Sequence, residues 1–273
     1  MLQKILLILF INLPFSVIIG QVTDALPNGH AHNDYDKSWP ALTTALSKGF
    51  VSIEIDVFLY QNELKVAHIG FLLGTAPDIE TLYFKPLEAW LAQHDKLFLD
   101  STQRLTFMID IKKDAAGTYV LLRALCERYK HLITSHYPAQ DSVSYGVLDI
   151  LLSGNKPYEQ VLNDSVQYML IDGGLGEIND SIRTAAIAPR VSARYGNLFT
   201  WKGTNKMPAE ELTRLRKIVA TAHGNHRKVR FWAMPNKPVV WKLLLDEGVD
   251  WMNVDDLEGY RAFYQGYILK KKE

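Results

Sequence analysis

Two hydrophobic periods alternate along this chain. Short apolar runs with every second position facing one side give way to longer segments in which apolar residues recur every three or four positions. The first pattern predicts strands ending at His30 and over 51–58, 106–111, 144–150, 167–171, 188–191, 229–233 and 251–254. The second predicts helices over 39–48, 86–93, 116–128, 157–162, 208–223 and 238–247, several with a proline in the first turn, where no N–H is missed. Residues 60–66 read instead as a short hairpin turning on Gln61 and Asn62. Eight strands interleaved with helices and no linker-like break predict an α/β fold, one (β/α)8 TIM barrel over residues 21–273. An open doubly wound sheet is the competitor. Asp172-Gly173-Gly174-Leu175-Gly176 has the glycines of a nucleotide loop, but no suitable helix pattern follows it.

The first twenty residues differ from the rest. Lys4 supplies one positive charge, and Ile5 to Ile19 is almost wholly apolar, broken by Asn12, Pro14 and Ser16. A run that short, with a proline, predicts a cleavable secretory signal over 1–20, a retained anchor being the alternative, and hence a secreted or periplasmic location. Lysine plus arginine and aspartate plus glutamate number 30 each, so no overall field recruits nucleic acid. Cys126 is the only cysteine, which excludes an intramolecular disulfide and cysteine-rich zinc sites. Its helical apolar surroundings place it in the core. The run Lys270-Lys271-Lys272 reads as a solvated end.

A barrel of this kind presents reactive side chains at the C-terminal ends of its strands. His30, Glu54, Asp56, Asp110, Lys112, Ser153 and Trp232 fall at or just past such ends, from independent segments. The strand period sets Glu54 and Asp56 on one face and Ile53, Ile55 and Val57 on the other. Two carboxylates that close repel unless a cation lies between them or one is protonated. Asp110, sharing a face with Lys112, would add a third carboxylate to an oxygen-rich site suited to one hard cation, Mg²⁺ or Ca²⁺. An ordinary cross-strand salt bridge is the simpler alternative. His30 and His68 are candidates for the acid and base that phosphodiester cleavage needs near neutral pH. His32, Asn33, Lys112, Ser153 and Trp232 are candidate substrate contacts, Trp232 as a pocket wall or as plain core. His223-Gly224-Asn225-His226 has a metal-like spacing but follows a long helix, and a helix cap at Gly224 accounts for it. His94, His131 and His136 read as helix-end or loop positions.

On these residues the chain resembles the glycerophosphodiester phosphodiesterase and phosphatidylinositol phospholipase C-like superfamily. Its Gly29-His30-Ala31-His32-Asn33-Asp34-Tyr35 opening is similar to a divergent subgroup, the altered-inheritance-of-mitochondria-protein-6-like phosphodiesterases. The likeness covers nearly all of the chain after the first twenty residues. The superfamily's histidine after the first strand matches His30, its Glu-x-Asp pair Glu54 and Asp56, and its histidine after a short hairpin His68. Its acid-x-Lys strand matches Asp110 and Lys112, and its late tryptophan and asparagine are similar to Trp232 and Asn236. The resemblance implies that Glu54, Asp56 and Asp110 hold one divalent cation while His30 and His68 act as base and acid. It implies a substrate that is a glycerophosphodiester, a lysophospholipid or a related headgroup ester. Asn33 stands where relatives such as the spider-venom sphingomyelinase D group carry a polar side chain.

The sequence departs from that pattern in three places. The usual His-Arg-Gly is His30-Ala31-His32, the usual glutamate of the acid-x-Lys strand is Asp110, and the usual His-Asp is His68-Ile69. The site residues therefore carry over better than the substrate. Trp39, Trp201 and Trp232 are candidates for a lipid-facing rim, with peripheral membrane contact, or for core. A non-catalytic headgroup- or carbohydrate-binding barrel is the alternative function. A glycosidase fits less well, because Glu54 and Asp56 are too close together to flank a sugar ring.

Overall fold

The computed structural model describes residues 20–37 and 39–272. The expected signal segment lies outside the described residues, apart from Gly20. In chain order the elements are β1 (Leu26–Ala31), α1 (Thr43–Ser47), β2 (Phe50–Tyr60), β3 (Glu63–Val66), α2 (Lys85–His94), β4 (Leu105–Ile111) and α3 (Ala115–Arg128). There follow β5 (Ser135–Tyr137), β6 (Ser142–Ser144), β7 (Leu148–Gly154), α4 (Tyr158–Asn163), β8 (Leu170–Gly174) and β9 (Arg190–Arg194). The chain ends with α5 (Ala209–Gly224), β10 (Lys228–Trp232), α6 (Pro238–Asp246), β11 (Trp251–Val254) and α7 (Leu257–Lys272).

Strands β1, β2, β4, β7, β8, β9, β10 and β11 are all parallel, and pairing of β1 with β11 closes them into a barrel. The short β3 adds antiparallel to the far end of β2. Strand β2 shows why the apolar runs were legible: its first nine residues are buried, with Ile53, Ile55 and Val57 in the core under the helices. Each such side chain stabilises the fold by about 1.5–3 kcal/mol through burial alone. The hairpin turns on Gln61 (φ 49°) and Asn62 (φ 62°), as the sequence predicts. Cys126 is fully buried, and burial pushes its thiol up to about 12.

Several boundaries differ from expectation. The barrel strands expected over 144–150, 167–171 and 188–191 lie further along, at Leu148–Gly154, Leu170–Gly174 and Arg190–Arg194. Their far halves carry inward polar side chains such as Ser153, Asp172 and Ser192, which break the apolar signal. Residues 142–144 belong instead to a separate hairpin with β5, so His136 is a strand residue and not a surface loop position. The helix expected over 39–48 shrinks to Thr43–Ser47, after a cis Trp39–Pro40 bond. The last basic run is the end of α7, whose aromatic face (Tyr260, Tyr264) packs on the barrel. Helix α5 runs through Gly224, and the left-handed residue after it is His226 at φ 57°, not the glycine.

One buried carboxyl ties the loop after β1 to the wall. Asp34 accepts a 2.5 Å hydrogen bond from the Tyr83 hydroxyl and a 2.7 Å bond from the Leu42 N–H, which is held at a strained φ of 56°. Burial pushes Asp34 up to about 6, against the pull of those two donors. Its folded pKa therefore exceeds its unfolded one. The contribution of this group is full below the unfolded value of 3.8 and is lost as pH rises through about 6. Above that pH the carboxylate depends on its donors. Tyr83→Phe is expected to lower stability by about 1–3 kcal/mol at pH 7.5 and by less at pH 4.5, read from denaturant midpoints at the two pH values.

Candidate active site

The register of the strands builds the site. Asp56, Asp110 and Ser153 are side-by-side partners across β2, β4 and β7, and His30 pairs with Ser52 across β1 and β2. Gly154 sits at φ 69° because no side chain fits there: a Cβ would lie 1.9 Å from Asp110 Oδ1 and 2.5 Å from the Ile111 carbonyl. The β2–β3 hairpin returns the chain so that the Ala67 N–H reaches the Asp56 carbonyl at 3.3 Å, which sets His68 beside that strand end. His68 Nδ1 lies 2.9 Å from Asp56 Oδ2, and the Asn33 amide donates to the same oxygen at 3.0 Å. With Nδ1 so engaged, Nε2 is left for the mouth.

Glu54, Asp56 and Asp110 each present a carboxylate oxygen within 4.8 Å of the others. Lys112 bridges two of them, 2.5 Å from Asp110 Oδ2 and 3.0 Å from Asp56 Oδ1. Burial raises the Asp110 pKa, with Lys112 opposing and the other two carboxylates reinforcing the rise. Burial would lower that of Lys112, but its bonds to Asp110 and Asp56 hold it above the usual lysine value. Glu54 is also buried, yet Arg230 and then His30 keep its pKa well below the usual carboxylate range. Arg230 donates to Glu54 and, through Nε at 3.1 Å, to Asn253.

His30 is fully buried beneath this cluster. Its Nδ1 lies 2.7 Å from Ser52 Oγ and its Nε2 3.2 Å from Glu54 Oε2. Burial, and then the Arg230 charge, drive its pKa well below the usual value. The phenol of Tyr35 is pushed up by burial and by the nearby Asp56 carboxylate.

These residues open on a cavity of about 590 Å³ at the C-terminal mouth of the barrel. Its lining carries five carboxylates (Glu54, Asp56, Asp110, Asp172 and Asp255) against three cations (Lys112, Lys156 and Arg230). Lys37, just outside the lining, pairs with Asp255, so the formal deficit is one positive charge. Three hard oxygen donors at this spacing, with that deficit, fit a divalent cation of the Mg²⁺ or Ca²⁺ kind.

The mouth thus gathers the predicted His32, Glu54, Asp56, His68, Asp110, Lys112, Ser153 and Trp232 in one cavity, with Asn33 and His30 just behind the carboxylates. His32 lies at the edge, its Nδ1 2.8 Å from Asp255 Oδ1, and Asn236 donates to the other oxygen of Asp255 at 2.6 Å. The His32 hydrogen bond, with Lys37, keeps the Asp255 pKa well below the carboxylate range. Trp232 is half-exposed, a wall and not core, whereas Trp201 is buried and so is not part of a rim. His223 pairs with Asp250 at 2.8 Å, away from the mouth. Sequence reasoning missed Arg230, Asp172 and Lys156. Arg230 was hidden in a strand that reads as apolar, and the alternation of polar side chains along that strand was the available signal.

A family model described as an AIM6-like phosphodiesterase domain matches residues 21–172. The chain is 28% identical over 263 residues to the altered inheritance of mitochondria protein 6 homolog of Arthroderma benhamiae, covering 86% of this chain and 83% of that protein. It is 28% identical over 275 residues to altered inheritance of mitochondria protein 6 of Eremothecium gossypii, covering 86% and 68% respectively. Among solved structures, a glycerophosphodiester phosphodiesterase from Agrobacterium tumefaciens superposes with a TM-score of 0.52 at 12% identity, covering 88% of this chain and all of that one. One from Parabacteroides distasonis gives 0.51 at 15% identity, covering 91% and 99%. At that identity the likeness shows the fold, a phosphodiesterase-type TIM barrel.

The tightest steric constraint at the mouth gives a direct test. Gly154→Ala must displace the Asp110 carboxylate, so affinity for Mg²⁺ or Ca²⁺ by isothermal titration is expected to fall about tenfold or more, with the circular dichroism spectrum unchanged.

Proposed function

The chain belongs to the AIM6-like phosphodiesterase domain family, and from that premise we propose that it cleaves phosphodiesters at the C-terminal mouth of its barrel, with one divalent cation, Mg²⁺ or Ca²⁺, held by Glu54, Asp56 and Asp110. The observation that carries the proposal is the meeting of three carboxylates within 4.8 Å with the imidazole of His68. When bound, such a cation neutralises charge on the phosphoryl oxygens. The residues of the chain do the rest. In cleavage the bond from phosphorus to the leaving alcohol breaks as an oxygen of water, or of a neighbouring substrate hydroxyl, bonds to phosphorus. One group takes the proton of the attacking oxygen and another returns a proton to the leaving oxygen. We assign these tasks to His68, which lines the mouth with its Nδ1 on Asp56, and to His30, whose Nε2 lies 3.2 Å from Glu54 Oε2.

Asn33 holds the Asp56–His68 pair in place, and Lys112 and Lys156 bring positive charge to the phosphate. Ser153, beside Asp110, and His32, at the rim, are the polar substrate contacts, with Trp232 as the apolar one. Trp39 and Phe71 are 76% and 89% exposed on the loops after β1 and β3, and Trp232 is half-exposed at the end of β10. Such a rim supports a glycerophosphodiester, lysophospholipid or related headgroup ester as substrate, with peripheral membrane contact. The apolar segment of residues 5–19 supports a secreted or periplasmic location.

One observation favours a second reading, a non-catalytic headgroup-binding barrel. Lys112 and Arg230 already pair with all three carboxylates. The deciding assay uses the purified protein on bis-p-nitrophenyl phosphate, a glycerophosphodiester and a lysophospholipid, with EDTA and then with Mg²⁺ or Ca²⁺ restored. Turnover is expected to vanish with chelator and to return with one metal. His68→Ala is expected to lower kcat by about 10²–10⁴-fold, the usual share of acid–base catalysis. Asp56→Ala is expected to abolish metal-dependent turnover while the fold survives. Turnover indifferent to EDTA and to Asp56→Ala would overturn the metal assignment, and binding without turnover would establish the second reading.

A further inference from the structure

A second cavity, of about 370 Å³, lies at the opposite end of the barrel. Arg190, Lys228 and Trp251 each open a strand there, and Arg104 stands just before β4. The β5–β6 hairpin forms one wall, pinned by paired backbone bonds between His136 and Gln167 at 3.0 and 2.9 Å. Small side chains at Thr106, Thr134 and Ala185 leave the space that larger apolar residues would fill. Its volume falls within the range of about 300–1,000 Å³ typical of small-molecule sites.

Charge here is the reverse of that at the mouth. Three cations, Arg104, Arg190 and Lys228, face the single carboxylate of Asp149. Arg104 is matched by Asp149 at 3.0 and 3.2 Å, and Lys228 lies 3.7 Å from Asp250. Arg190 is only 2% exposed, yet among the described residues no carboxylate comes within 4.0 Å of it, and Asp172 acts on it only from a distance. Its Nε has no acceptor, and its two Nη atoms reach only Met108 Sδ and Ser52 Oγ, each at 3.4 Å. Its guanidinium stacks 4.5 Å from the centre of the Trp251 ring. A buried, unpaired guanidinium is costly unless something completes it, and its planar fork matches a carboxylate or a phosphate.

We propose that this cavity binds a flat organic anion, an aromatic carboxylate or phosphate monoester, whose acid group pairs with Arg190 and whose ring lies against Trp251. The test is isothermal titration of the full chain with 2-naphthoate and, in a second arm, 2-naphthyl phosphate. EDTA is present throughout, so that no cation serves the mouth. One-to-one binding is expected in the wild type. Ala185→Trp, which fills the entrance, and Arg190→Met are each expected to weaken it about ten- to a hundredfold, the loss expected for a charge-assisted pair. Lys112→Met, at the mouth, is expected to leave it unchanged. Should Arg190→Met fail to fold by circular dichroism, Ala185→Trp carries the test alone. Absence of binding by both probes overturns the proposal, as does binding that Lys112→Met removes and Ala185→Trp spares.

Discussion

Three carboxylates crowd one strand end, and most of the polar architecture answers that repulsion. Glu54, Asp56 and Asp110 lie too close to share a low-dielectric barrel without positive charge among them. Arg230 reaches Glu54 from β10, and Lys112 reaches Asp56 and Asp110 from the end of β4. His30 and Asn33 complete the hydrogen bonding from β1 and the turn after it. These groups come from β10, the end of β4 and the β1 segment, so the constraint couples both sides of the barrel. That coupling explains why Gly154 is needed: the last strand position beside Asp110 must leave room for its carboxylate.

The two ends of the barrel carry opposite charge although the chain as a whole is formally neutral. Between them runs a file of buried polar contacts: Arg190 to Ser52, Ser52 to His30, and His30 to Glu54. The file is continuous because inward positions of adjacent strands stack in layers, so a polar side chain in one layer finds its partner in the next. The orientation of Glu54 is therefore set partly from below. An imidazole fixed at both nitrogens and a guanidinium fixed against Trp251 leave Glu54 little freedom.

Much of this was legible in the sequence because the strand period is strict. Glu54 and Asp56 alternate with Ile53, Ile55 and Val57, so one face had to be the core and the other the site. The hairpin turning on Gln61 and Asn62 was legible from its turn residues, and with it the return of His68. Strands with polar inward ends were not. The boundaries of β7, β8 and β9 slipped because Ser153, Asp172 and Ser192 interrupt an apolar run without interrupting the strand. Arg230 and Arg190 escaped notice for a related reason: an arginine inside a strand reads as an exposed edge until barrel closure shows that both faces are covered. Helix α7 was missed although Tyr260, Phe263, Tyr264 and Tyr267 stand three and four residues apart, which was the available signal.

The charge deficit at the mouth also bears on what enters it. The arginine that the superfamily carries in its His-Arg-Gly opening is Ala31 here, and Arg230 is already engaged by Glu54 and Asn253. Lys112 is shared by two carboxylates, and Lys156 donates to the Asp172 carbonyl at 3.0 Å and lies 3.8 Å from Glu177. Among the described residues each cation lining the mouth is thus already engaged, and Lys112 and Lys156 serve a phosphate only by exchanging those partners. At about 5 Å and an effective dielectric constant of about 20, each uncompensated negative charge opposes a monoanion by on the order of 3 kcal/mol. A phosphodiester would therefore be favoured at this mouth only if a dication offset the carboxylates. Were a cation held by Glu54, Asp56 and Asp110, it would supply the charge that Lys112 now gives Asp56 and Asp110. Without an arginine at position 31, the proposed activity would depend more heavily on a bound cation than it does where that arginine is present.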